Sequence, residues 1–155
     1  MVLLVYQKKT ACYCPRQIRL FNFRRSLMSI QYTTKVEDGT LFVYASGFDE
    51  SLDEVQTYAM GVLTASQQHG VNRVLCDETD LEYRLGTFDT YQAGEFLSKH
   101  VPAVTKVAIV CNPRHLSDAQ FFEDVVVNRG LTFRLFVDRE TAMSWLFEPQ
   151  ASLDA

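Results

Sequence analysis

A chain of 155 residues, 47% apolar and 22% charged, has the composition of one ordinary globular domain. A domain of this size buries roughly 70% of its unfolded surface and needs no metal or disulfide to stay folded. The formal net charge of -4 is unevenly distributed, because residues 1–27 hold six of the 15 bases and none of the 19 acids. The acidic remainder argues against a nucleic-acid partner.

The basic segment at residues 1–27 differs from everything that follows it. Its apolar start, MVLLVY, is too short to span a bilayer, and its positive charge comes after the apolar run, whereas a secretory signal has it before. Two interpretations remain: a leader that is disordered, membrane-surface or organellar, or an upstream start choice with Met28 as the native start. In both cases we expect a domain at 28–148, a C-terminal tail at 149–155, and a fold that survives removal of the leader.

The domain is predicted to open with a β-hairpin. Residues 30–36 show a loose alternation of apolar and polar side chains, and residues 41–45 (LFVYA) are β-branched and aromatic. Between them, Asp38-Gly39 is a strong signal for a tight turn. The sequence therefore predicts an antiparallel pair of strands.

A helix and a third strand are predicted next. Ser51 and Glu54 match a capping box at the helix start, and Gly70 stands where a C-terminal cap belongs. Residues 73–77 are predicted to form the third strand, and residues 78–86 an acidic loop. The apolar face of the helix is predicted to consist of Leu52, Val55, Tyr58, Ala59, Val62 and Leu63.

The following segment repeats the order helix, strand, helix. Thr87 or Asp89 is predicted to start a helix that ends before Pro102. Residues 107–111 (VAIVC) form a short apolar run typical of a strand buried on both faces. Ser117 is predicted to cap the next helix. The apolar side chains of the first of these helices are Phe88, Tyr91, Phe96 and Leu97.

The last part of the chain completes the predicted fold. Gly130 ends a helix, residues 131–137 form a strand, and Asp138 caps a final helix. The order ββαβαβαβα predicts a single α/β domain with a mostly parallel sheet, right-handed crossovers and helices packed on the sheet. The residues expected to be buried together are Val107, Ile109, Phe122, Phe133, Phe136 and Trp145.

Two stretches carry a resemblance to a known family. FFEDVVVNRGLTFRLFVDRETAMSWL resembles the closing helix, strand and helix of STAS-like domains, and DGTLFVYASG resembles their start. This SpoIIAA-like fold is shared by sulfate transporter tails and anti-sigma factor antagonists, and the likeness is greatest to small bacterial relatives described as STAS/SEC14-like. The resemblance covers residues 28–148 and implies a regulatory binding or interaction module, usually without enzymatic activity.

The resemblance also indicates a phosphorylation site to be tested. A phosphorylatable anti-sigma factor antagonist carries an Asp-Ser dipeptide at the start of the helix after its third strand, where this chain has Leu85-Gly86-Thr87. Thr87 or Thr90 is the candidate phosphoacceptor, because a helix N-terminus favours a phosphate. The missing Asp-Ser pair argues against this role, and a threonine that only caps the helix needs no phosphate.

A ligand or partner site is expected beyond the carboxyl ends of the parallel strands, where open α/β sheets bind their ligands. The arginines suit carboxylate or phosphate groups, and the alternative is a rim of solvated loop residues. The candidates are Asp77, Glu78, Tyr83 and Arg84 from one loop and Asn112, Arg114, His115 and Ser117 from the next.

Catalytic and cofactor motifs are missing from the sequence. It has no dinucleotide loop, Walker loop, nucleophile elbow or zinc helix, so we expect no cofactor and no metal. His69, His100 and His115 are dispersed and fit solvated or capping roles. Cys76 and Cys111 are expected to be buried thiols in the cytoplasm, with a redox pair as the alternative.

The function predicted from the sequence is that of a cytoplasmic, non-enzymatic STAS-like domain that binds a protein partner or a small ligand, for example a lipid-like one. Two alternatives remain: a phosphorylation-controlled regulator similar to anti-sigma factor antagonists, and an enzyme acting on a small substrate at the strand-end loops. A homodimer is compatible with each of them.

Overall fold

Residues 30–149 are described by a computed structural model, in which a five-stranded sheet carries helices on both faces. The strands are β1 (Gln31–Glu37), β2 (Thr40–Asp49), β3 (Arg73–Tyr83), β4 (Lys106–Cys111) and β5 (Thr132–Phe136). The helices are α1 (Leu52–Gln68), α2 (Thr87–His100), α3 (Leu116–Val127) and α4 (Arg139–Phe147). The predicted leader lies outside the described residues, as does the predicted tail beyond residue 149.

The strands lie side by side in chain order, β1 to β5. β1 pairs antiparallel with β2, whereas the pairs β2–β3, β3–β4 and β4–β5 are parallel. The turn between β1 and β2 is formed by Asp38 and Gly39, both with positive φ (48° and 68°), as the mirror-image hairpin turns require. The predicted hairpin, the order of the elements along the chain and the α/β class are confirmed.

The sheet separates two hydrophobic cores, so the expectation of a single one was wrong. Alternate residues of a buried strand point to opposite faces, and both faces are covered here. Trp145, which was expected in one cluster with Ile109, is partly buried beside Phe136 on the opposite face. The first core cluster, under α1, α2 and α3, contains Leu41, Val43, Val74, Cys76, Ile109, Val126, Leu131 and Phe133. The second core cluster, under α4, contains Phe42, Leu75, Ala108, Val110, Phe136, Ala142 and Leu146.

Side-chain caps fix the start of two helices as predicted, whereas the caps predicted at Ser117 and Thr87 were wrong, since Gly86 is the N-cap residue of α2. Ser51 accepts a hydrogen bond from the backbone N–H of Glu54, and Asp138 caps α4. Ser117 is already inside the first turn of α3. A short 3-10 turn precedes α3, and Asn112 caps that turn by accepting from the N–H of Arg114. Pro113 starts this turn, since proline suits a first helical position.

β3 is longer than predicted, and this changes the position of the candidate site. The strand continues through the residues expected to form an acidic loop and ends at Tyr83. It does so because β2 also extends, to Asp49, and pairs with β3 along its whole length. Asp80 and Glu82 are exposed, whereas Leu81 between them is buried, which is the alternation of a strand rather than a loop.

Close packing of α2 on α3 requires a glycine. A Cβ added to Gly94 would lie 2.4 Å from Cγ1 of Val125. The absence of a side chain therefore lets the two helices approach and close the layer that covers the first core cluster. Within residues 30–149, no helix is long and apolar enough to cross a bilayer.

Candidate functional site

A cavity of about 150 Å³ lies between the sheet and helices α1, α2 and α3. An apolar cavity of this size is sufficient for a benzene-sized molecule. It runs along the first core cluster, from the amino ends of the parallel strands to their carboxyl ends. Its lining is mostly apolar and includes Val62, Leu63, Ala93, Leu97, Ala119 and Phe122.

One end of the cavity holds a buried carboxyl group. Glu78 is 5% exposed, and each of its oxygens accepts a hydrogen bond from a tyrosine. The hydroxyl of Tyr58 on α1 donates to Oε1 at 2.9 Å, and that of Tyr83 donates to Oε2 at 2.6 Å. Burial raises the pKa of Glu78 to about 7, although the two hydrogen bonds act in the opposite direction. The charge of this group therefore changes near neutral pH.

An irregularity in β3 brings these side chains to one face. Glu78 and Thr79 together stand opposite the single residue Ala45 of β2, because Tyr44 pairs with Asp77 and Ser46 with Asp80. The extra residue works as a β-bulge, which bends a strand and redirects its side chains. As a result, the even-numbered Cys76 and Glu78 and the odd-numbered Leu81 and Tyr83 all line the cavity.

The thiols and hydroxyls near Glu78 stay protonated. Cys76 lines the cavity, and Cys111 pairs with Glu78 across the β3–β4 ladder. Burial raises the pKa of both thiols, and the negative charge of Glu78 adds to the effect. Burial also raises the pKa of Tyr58 and Tyr83 well above its ordinary value. Neither cysteine has the thiolate character of a reactive residue, which opposes the redox alternative.

Asp49 secures the connection from β3 to α2. It is 8% exposed and its Oδ1 accepts hydrogen bonds from the backbone N–H groups of Arg84 and Leu85. The pKa of Asp49 is raised above its ordinary value because burial outweighs the opposite effect of these two hydrogen bonds. Its carboxyl group thus fixes the chain directly after Tyr83.

The first group of predicted site residues is divided between the two faces of the sheet. Glu78 and Tyr83 face the cavity. Asp77 points toward α4, where its Oδ2 lies 3.6 Å from a guanidinium nitrogen of Arg139. Arg84 remains outside, paired with Glu82 at 2.6 Å and stacked over a phenylalanine ring.

The second group stays at the rim of the sheet. Asn112 donates from Nδ2 to the carbonyl of Thr79 at 3.3 Å, so it links β4 to the bulge of β3. Arg114 and Ser117 are exposed, and the ring of His115 packs against that of Tyr83 with 5.4 Å between centroids. A ligand role for this rim stays a prediction.

Sequence reasoning missed Tyr58 and Asp49 as members of the site. Tyr58 was assigned to the apolar face of α1, and its hydroxyl within that face is a signal that a polar partner lies beneath the helix. Asp49 is the last residue of β2 and stands two residues before Ser51, the cap of α1, where acids are common without any function. Its role in the turn was not readable from the sequence.

The opposite face carries an open polar groove of about 330 Å³ near Tyr44, Ser46, Asp77 and Asp80. Its most buried acid, Asp77, already accepts a hydrogen bond from the hydroxyl of Thr79 at 2.7 Å and faces Arg139. The interior cavity, with its buried carboxyl group, is the stronger candidate.

Comparison with known proteins gives the fold. No family model and no curated protein matches the chain. An anti-sigma factor antagonist from Mycobacterium paratuberculosis aligns with a TM-score of 0.55 and 16% sequence identity, over 77% of this chain and 96% of that one. The chain has a STAS-like fold. A protein of the DUF3478 family with a SpoIIAA-like fold, from Shewanella loihica, aligns with a TM-score of 0.49 and 20% identity, over 77% of this chain and 95% of that one.

Proposed function

We propose that this STAS-like domain is a non-enzymatic binding module that holds a small amphiphilic molecule in the cavity beneath α1, α2 and α3. The supporting observation is the polarity of the cavity, which is apolar along the sheet and polar at the Glu78 end. Ligand pockets commonly combine an apolar lining with a few convergent polar groups that fix orientation. The apolar part of the ligand replaces empty volume, and its polar part contacts Glu78.

The arrangement around Glu78 favours binding over catalysis. A carboxyl group with a pKa near 7 suits a general acid or base. However, both tyrosine hydroxyls donate to Glu78 itself and are not free to stabilise a developing oxyanion. The thiol of Cys76 is held protonated and is a poor nucleophile. The groups that a substrate would need are thus already used within the site.

The proposal is tested by methyl NMR of the purified protein titrated with benzyl alcohol. Binding in the cavity should shift the methyl resonances of Ala93 and Ala119, which line it, and leave that of Ala142 under α4 unchanged. Ala93→Leu fills the cavity and should abolish the shifts, whereas Thr64→Leu adds the same side chain at an exposed position of α1 and should preserve them. Unchanged methyl resonances at saturating alcohol would refute the proposal.

A second candidate function is regulation of a protein partner, favoured by the likeness to an anti-sigma factor antagonist. α2 begins at Thr87 after Gly86, which provides no side-chain cap. Phe88 and Tyr91 beside it are 71% and 43% exposed, and such aromatics suit a protein interface. The hydroxyl of Thr90 donates to the carbonyl of Gly86 at 3.0 Å. Thr87 is therefore the better phosphoacceptor of the two.

This second candidate predicts a phosphorylated form of the protein in its native cell. Intact-mass spectrometry of the native protein, with and without phosphatase treatment, should show one phosphate that is lost in Thr87→Val and kept in Thr90→Val. If the protein carries no phosphate under any of the growth conditions tested, regulation by phosphorylation of Thr87 is ruled out. Loss of a captured partner in Phe88→Ala would still support an interaction surface on α2.

A further inference from the structure

We infer that the molecule bound in the cavity is an apolar amine, held with its ammonium group against the carboxylate of Glu78 and its hydrocarbon part along the first core cluster. The inference rests on the proposed function and specifies the chemical class of its ligand.

The charge of the lining points to a cation. Its three ionisable carboxyl groups belong to Asp49, Glu78 and Asp118. Among the residues between 30 and 149 that line the cavity, none is a lysine, arginine or histidine. The ring of His115 packs on Tyr83, but His115 does not line the cavity. A buried carboxylate that lacks a cationic partner is costly, and a ligand cation supplies that partner.

The hydrogen-bond donors around Glu78 point to the same class of ligand. The hydroxyls of Tyr58 and Tyr83 both donate to Glu78, and that of Thr90 donates to a backbone carbonyl. An ionised carboxylate has about four acceptor positions, of which two are used here. The polar end therefore offers free acceptors, and the ligand must provide the donors. An ammonium group has three donors and matches this need, whereas a carboxylate or a fully ionised phosphate has none.

The helix starts at this edge do not reverse the preference for a cation. α1, α2 and α3 all begin near the carboxyl ends of the strands, where the positive end of a helix dipole attracts anions. Each first turn already contains at least one acidic residue: Asp53 and Glu54 in α1, Asp89 in α2 and Asp118 in α3. These carboxylates offset the positive ends of the helix dipoles. The buried charge of Glu78 therefore determines the sign of the charge that the ligand carries.

The amino end of the cavity is suited to hydrocarbon. Thr105, which precedes β4, marks this end of the cavity. It lies six residues before Cys111, the residue paired with Glu78, and this separation is roughly 20 Å at the rise of a strand. Its polar members are the hydroxyls of Thr105 and Ser66, and that of Ser66 already donates to the carbonyl of Val71 at 2.6 Å. With about 150 Å³ available, the apolar part is limited to a single ring or a short alkyl chain.

The test compares four probes that share one ring and differ in the head group: benzylamine, benzyl alcohol, toluene and benzoate. Dissociation constants are measured by methyl NMR on the whole chain at about pH 8, which lies above the pKa of about 7 to which burial raises Glu78. We expect benzylammonium to bind roughly tenfold or more tighter than benzyl alcohol, the usual advantage of a charged hydrogen bond, and benzoate to be excluded.

Variants separate the role of Glu78 from that of the cavity. Glu78→Gln should weaken benzylammonium roughly tenfold and leave toluene unchanged, since it removes charge but little volume. Glu82→Gln, on the exposed side of the same strand, should change neither. Equal affinity of the unsubstituted protein for benzylammonium and benzyl alcohol, or tighter binding of benzoate, would overturn the amine inference and leave the proposed function standing. Failure of all four probes to bind would overturn both.

Discussion

Replacing Glu78 by Gln should remove a large part of the dependence of stability on pH. The folded protein raises the pKa of this carboxyl group from 4.5 to about 7, because burial disfavours its charged form. The folded state therefore holds the proton more tightly than the unfolded chain does. The resulting stabilisation is fully present below about pH 4.5 and is lost as the pH rises through about 7.

The size of the effect follows from that pKa shift. Each unit of difference between the folded and unfolded states corresponds to about 1.4 kcal/mol, so the shift of Glu78 amounts to about 3 kcal/mol. This is a considerable share of the 5–15 kcal/mol that typically stabilises a domain. Gln keeps the shape of the side chain and an acceptor oxygen for one tyrosine, and it has no proton to lose in this range.

The assay is urea unfolding at about pH 5 and about pH 8, with the free energy of unfolding extrapolated to water. Glu78→Gln should gain about 2–3 kcal/mol relative to the unsubstituted protein between the two pH values, since part of the shift is already lost at pH 5. Glu82→Gln is the control, because its exposed carboxyl group has a pKa lowered by Arg84, chiefly through their hydrogen bond. Between about pH 5 and about pH 8, the free energy of unfolding of Glu82→Gln should therefore fall slightly relative to the unsubstituted protein. Equal stability differences for Glu78→Gln at both pH values would show that Glu78 is not desolvated in the folded protein.

Three further predictions concern packing and the rim. Leu146→Ala should cost about 2–5 kcal/mol in denaturant unfolding, because Leu146 is 1% exposed in the second core cluster. Gly94→Ala should lower the melting temperature despite the higher helix propensity of alanine, and Val125→Ala in the same chain should recover part of the loss by removing the clash. The double change Arg84→Ala with Arg114→Ala should alter stability by less than about 1 kcal/mol and should weaken retention of a ligand or partner, and unchanged retention would show that the rim is only a solvated edge.

The topology of the fold was predictable because periodicity and turn chemistry agree along most of the chain. The Asp38-Gly39 turn, the capping residues Ser51 and Asp138 and the short apolar strands each report on local geometry. The two separate cores were less predictable. Ile109 and Phe136 look alike in a sequence, and only the pairing register places them on opposite faces of the sheet.

The candidate site was predictable only in part, because its decisive features depend on pairing between distant segments. Glu78 was identified, but as a residue of a solvated loop. The alternation of Leu81 and Tyr83 with acidic residues was present in the sequence and was masked by the charge of that stretch. The partnership of Tyr58 with Glu78 depends on how α1 lies across β3, which no local pattern specifies.

The bulge in β3 keeps the side chains before and after it on one face although the strand has one residue more than its partner. Deleting Thr79 would restore regular pairing with β2. Leu81 and Tyr83 would still pair with Gly47 and Asp49 and would still face the cavity, because the deletion removes the position that the bulge absorbs. Regular pairing of the undeleted strand would instead turn Leu81 and Tyr83 toward the α4 face, because a shift of one position reverses every side chain of a strand. The contact between Tyr83 and Glu78 therefore requires either the bulge or a strand that is one residue shorter.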